Sequence, residues 1–153
     1  MKKNLLQADT RTEIISRLDT LTPSTQAKWG KMNVKQMLWH ANHGLQIALG
    51  EVTTPSRKSN AFTRSLMRFV VLKTDIPAPE GKAKTFDEID TVALGINPDD
   101  FNAERDQLKN TLDRFLAATK FAPESALIGK MSKEDWGRLN YTHLDHHFRQ
   151  FGA

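Results

Sequence analysis

Apolar positions recur along this chain at helical spacing and nowhere alternate with the period of two that marks a strand. Ile14, Ile15, Leu18 and Leu21 form the first stripe. It predicts a helix over residues 11–21, with Thr10 and Glu13 as a capping box and Thr22-Pro23-Ser24 as its stop. Val34, Met37, Leu38, Ala41, Leu45, Ala48 and Leu49 form the second. That helix should run over 34–49, capped by Asn33 with Gln36 and stopped by Gly50. Residues 60–72 are helix-compatible, with Phe62, Leu66, Phe69 and Val70 on one side. Asn97-Pro98-Asp99-Asp100 reads as a helix start, with a cap, a proline at the first position and acids in the first turn. Phe101, Leu108, Leu112, Phe115 and Leu116 continue that helix to about residue 119. Ser132, with Asp135 three residues on, caps a last helix running to 151. Residues 76–81 read as loop, 82–96 as an irregular stretch over the surface, and 121–130 as a connector. Four main helices and one extra helical segment imply an all-α, bundle-like fold.

Length and composition narrow the class. A chain of 153 residues is the size of one domain, and neither a repeat nor an internal boundary divides residues 1–153. No cysteine is present, which removes disulfides, thiolate ligands and a cysteine nucleophile. That usage fits a reducing cytoplasm, the expected compartment. The N-terminal segment lacks a signal-peptide apolar region, and no apolar run reaches the ~20 residues of a membrane span. The net charge of +4 is concentrated in residues 57–84, which carry Arg57, Lys58, Arg64, Arg68, Lys73, Lys82 and Lys84. This stretch reads first as a solvated face. It lacks the aromatic or zinc-finger patterning of a nucleic-acid binder, so nucleic acid is not the expected partner.

The histidines change the picture. Three of the five lie in one segment, His143, His146 and His147, and the other two, His40 and His43, lie on the second helix. His143 and His147 are four apart and share a helical face. With about 100° per residue, that face is the apolar one, bounded by Trp136, Leu139, Leu144, Phe148 and Phe151. His146 falls on its rim and Gln150 lies beside the pair, and both are candidate outer partners of the ligands. Asp145 and Arg149 face away. On the second helix His40 is the inward histidine and His43 is turned toward the polar side. Gly44, one turn later, leaves space beside His40, at a cost of about 1 kcal/mol relative to alanine. Two inward imidazoles one turn apart need hydrogen-bond partners or a metal ion. The HxxxH spacing lacks the glutamate of HExxH proteases.

Met37-Leu38-Trp39-His40, Trp136-Gly-Arg-Leu and His143-x-x-His146-His147-x-Arg149-Gln150-Phe151-Gly152 together resemble the DinB/YfiT-like superfamily. Within it they are most similar to a bacterial group with an HLDHHxRQFG-like last helix. The resemblance covers helix two to the C-terminus. It implies a four-helix bundle, here with an extra short helix, that holds a divalent metal through His40, His143 and His147. It also implies metal chemistry with a low-molecular-weight thiol. Phe148 between His147 and Arg149 departs from the commoner HRGQ ending.

The expected function is therefore a divalent-metal-dependent enzyme, with zinc or nickel at His40, His143 and His147. It would act as a transferase or hydrolase on a small-molecule substrate, with a thiol cosubstrate and a homodimeric assembly. Three imidazoles leave coordination positions open, as in catalytic zinc sites. The rival is a non-catalytic ligand- or nucleic-acid-binding helical module whose histidines are structural.

Overall fold

The computed structural model describes residues 2–55, 60–82 and 84–153. Arg57 and Lys58 of the basic stretch lie outside them. Five α-helices are present among the described residues: α1 (Ala8–Asp19), α2 (Val34–Ala48), α3 (Ala61–Lys73), α4 (Phe101–Ala117) and α5 (Lys133–Gln150). A two-residue antiparallel hairpin, β1 (Glu124–Ser125) with β2 (Gly129–Lys130), sits in the connector before α5. The protein is mostly helical, as its apolar spacing requires.

Two of the helix starts follow from local chemistry. Asn33 and Gln36 form a full capping box on α2, and Ser132 and Asp135 form another on α5. Each satisfies two backbone donors that the first turn leaves free. Two other starts differ from the sequence reading. Thr10 does not cap α1; it is buried inside a helix that begins at Ala8 behind Gln7, which provides no side-chain cap. The α1 start is set by the preceding turn, where Asn4 accepts the Leu6 N–H and Leu5 enters the core. α4 is capped by Asp100, which accepts from the Asn102 and Ala103 N–H groups. Asn97 instead meets the Asn33 side chain, so Pro98 lies ahead of the helix.

α2 is central and packs on α4 and α5, while α1 and α3 pack on α5. Met37, Leu38, Ala41 and Leu45 of α2 join Leu108, Leu112 and Phe115 of α4 and Trp136, Leu144 and Phe148 of α5 in one core. Burying each large side chain contributes about 1.5–3 kcal/mol. The segment 82–96 is not purely superficial. It makes a 3-10 turn at Asp87–Ile89 that drives Ile89 into this core. No helix among the described residues is long and apolar enough to cross a membrane.

Candidate metal centre

α2 and α5 bring His40, His143 and His147 together. His143 Nε2 lies 2.9 Å from His40 Nε2 and 3.2 Å from His147 Nε2. One ring nitrogen from each residue lies within 4.8 Å of the others. For tetrahedral coordination with zinc–nitrogen bonds of about 2.0–2.1 Å, neighbouring nitrogens stand ~3.3 Å apart. The cluster is within a few tenths of an ångström of that spacing along both of its short edges.

The backbone fixes which nitrogens face inward. The Trp29 carbonyl accepts from Gln150 Nε2 at 2.8 Å, which turns Gln150 Oε1 toward His147 Nδ1, also at 2.8 Å. An amide oxygen only accepts, so His147 Nδ1 carries the proton and its Nε2 carries a lone pair. The Ile89 carbonyl does the same for His40 Nδ1 at 2.8 Å. Two lone pairs thus face His143 Nε2, whose single proton could serve only one of them. A cation at the centre would resolve that conflict. The carbonyl and amide partners are the kind of outer contacts that orient metal-binding histidines.

Burial pushes the pKa of His40 below the ordinary histidine value, partly opposed by the Ile89 carbonyl. It pushes His143 and His147 well below, and the neighbouring imidazoles push the same way. The three are therefore neutral at pH 7, the form in which imidazole binds a metal.

Gly44 leaves its space to His143 and not, as the sequence suggested, chiefly to His40. A Cβ at Gly44 would lie 2.7 Å from His143 Cε1 and Nδ1. Gly30, at φ +83°, gives Gln150 similar clearance.

The other two histidines are not part of the ligand cluster, though the His146 ring lies edge-on to that of His147 with centroids 5.1 Å apart. His43 stacks on Trp39, with centroids 3.5 Å apart, and its Nδ1 meets the Trp39 carbonyl. His146, which helical geometry placed on the rim of the arc, is only 8% exposed. The Trp29 ring, 6.0 Å from its own, covers it. Asp145 is engaged by Arg17 and Arg149, at 2.8 and 3.0 Å, on the far face.

The trio opens on a cavity of about 760 Å³, within the ~300–1,000 Å³ range of small-molecule sites. Met67 and Val70 of α3, Ile47 of α2 and Leu139 of α5 line it, with Lys82 and Lys84 from the basic stretch. Arg68 of that stretch is engaged elsewhere: it pairs with Asp135 at 2.7 Å and with the Lys130 carbonyl. Sequence reasoning missed Trp29 and Ile89, because their contribution is a main-chain carbonyl, which side-chain identity does not advertise.

The chain belongs to the family described as "Protein of unknown function (DUF1569)". The family model matches residues 1–153. No curated protein and no solved structure matches this DUF1569 chain.

Proposed function

We propose that the protein binds one divalent metal ion, zinc or nickel, through His40, His143 and His147, and uses it in a transferase or hydrolase reaction on a small molecule held in the adjoining cavity. The observation that carries this reading is the tautomer conflict, in which two fixed lone pairs converge on a third imidazole nitrogen. The resemblance of the α2 and α5 motifs to the DinB/YfiT-like superfamily supports the same trio and, with it, a four-helix bundle carrying one extra helix.

When bound, a divalent ion on three neutral imidazoles supplies Lewis acidity, which lowers the pKa of a thiol or water and polarises a carbonyl. The chain's own part is to hold the ligands and shape the site. Gln150 and Ile89 orient two of the rings. Met67, Val70 and Leu139 present an apolar wall to the substrate. The absence of cysteine means that a sulfur nucleophile must come from a low-molecular-weight thiol in solution.

The test begins with elemental analysis of the purified protein, where close to one metal ion per chain is expected. Cobalt substitution followed by glutathione titration then probes the open positions. A change in the d–d and charge-transfer bands is expected. A metal that binds but ignores thiol, water and imidazole would overturn the enzymatic reading, and failure to bind any divalent metal would overturn the whole of it.

A further inference from the structure

α3 has two unlike sides. Its inner side, with Met67, Val70 and Val71, lines the cavity, and the helix packs on α5 and β2. Its outer side carries Phe62, 78% exposed, Phe69, 59% exposed, and Leu66, 51% exposed. Large apolar side chains grouped in this way mark a surface that something covers.

The spacing says what. Phe62, Leu66, Phe69 and Lys73 follow a 4-3-4 rhythm. That rhythm is the seam of two helices meshed at a shallow angle. It spans only about 60° of the helix circumference at 100° per residue. A helix lying on a lipid surface needs a wider apolar face. The rhythm also reads the same in both directions, which is what a two-fold axis requires of a self-complementary patch. With the two helices antiparallel and centred between Met67 and Arg68, Leu66 meets Phe69 of the second copy. Phe62 meets Lys73, a cation against an aromatic face. A parallel pair would instead set Lys73 against Lys73.

Charge permits the approach, because Arg68 is turned inward onto Asp135. The area is adequate for a weak dimer. Taking about 150–250 Å² per aromatic side chain, the two phenylalanines expose about 270 Å², and Leu66 raises this to about 350 Å². Two copies bring about 700 Å² of apolar surface. The flanking Thr63, Ser65 and Lys73 lift the total toward the ~1,200 Å² lower bound of specific interfaces.

We propose that α3 is a dimerisation helix, pairing antiparallel with α3 of a second copy of this chain through Phe62, Leu66 and Phe69. The pairing would brace one wall of the cavity in each copy from outside. Sedimentation equilibrium on the full chain should give a concentration-dependent mass rising from 17.3 kDa toward twice that value. Leu66→Glu should remain at the single-chain mass with an unchanged circular dichroism spectrum. Because the chain has no cysteine, the register can be read directly. An oxidised mixture of the Leu66→Cys and Phe69→Cys variants should give the mixed disulfide in excess over both self-pairs. Several outcomes would overturn the proposal: a single-chain mass at every concentration, an undiminished dimer in Leu66→Glu, or preferential Leu66→Cys self-pairing. So would a monomer that floats with anionic phospholipid vesicles.

Discussion

Replacing Gly44 with alanine should uncouple metal affinity from stability. The added methyl would lie 2.7 Å from two atoms of the His143 ring. Carbon contacts settle at about 3.5–4.0 Å, so the ring must retreat by about 1 Å. His143 Nε2 is the middle member of the trio, 2.9 and 3.2 Å from its neighbours. Metal sites hold their ligand distances to about 0.2 Å, so the centre cannot absorb that shift. The two effects on the metal-free protein nearly offset. Alanine recovers about 1 kcal/mol of helix propensity, and overpacking costs about 1–3 kcal/mol. The metal-free variant should therefore be destabilised by no more than about 2 kcal/mol. Its zinc affinity should fall by about 100-fold or more, at or beyond the upper end of the 10–100-fold losses that follow removal of an outer hydrogen-bond partner. Competition against a chromophoric zinc chelator gives the affinity, and urea unfolding with chelator present gives the stability. Wild-type zinc affinity in a folded Gly44→Ala protein would refute the account of why a glycine stands in mid-helix here.

Other expectations follow from the same geometry. His147→Ala should lose most bound metal while His146→Ala keeps most of it, as read by elemental analysis; equal losses would mean that His146 is a ligand. Gln150→Ala should weaken zinc binding by about 10–100-fold, because His147 loses the oxygen that fixes its tautomer; chelator competition measures this. Metal-free stability should be full above pH ~6.5, the unfolded histidine value, because the folded pKa values lie lower and the unfolded chain takes up protons first. Below that pH it should fall toward the lowered folded values by up to about 1.4 kcal/mol per pH unit for each histidine. Urea midpoints measured across this range decide the matter, and a flat profile would count against burial of the trio. Arg138→Ala should cost about 2–4 kcal/mol, since its guanidinium serves the Lys3, Val71 and Thr74 carbonyls and Asp75 together; the same unfolding assay applies.

What the sequence disclosed was chiefly what is local. The boxes at Asn33 and Ser132 were legible because cap and partner are three residues apart. The shared face of His143 and His147 follows from helical geometry alone. Thr10 and Glu13 imitate a box, but the tertiary fit of Leu5 decides where α1 begins. The stripe on α3 was readable, yet its four members do not share one side as the spacing suggested: Phe62, Leu66 and Phe69 face outward while Val70 turns to the cavity. His146 could not be placed without knowing that Trp29, more than a hundred residues earlier, lies over it. The hairpin at 124–130 is too short for any alternation to register.

The separation of the three histidines along the chain dictates an order of assembly. His143 and His147 become neighbours as soon as α5 has two turns, within microseconds and without help from the rest of the protein. His40 is 103 positions from His143. Bringing it in closes a loop whose entropic cost grows as (3/2)RT ln n, about 4 kcal/mol at this length. An ion meeting the folding chain would find a two-toothed chelate on α5 first and gain its third tooth only when α2 docks. Ion capture early in folding would then be loose and reversible, and retention would report completed folding. If the trio takes up a metal as proposed, a wrong ion would be discarded from the half-built site before the fold commits to it.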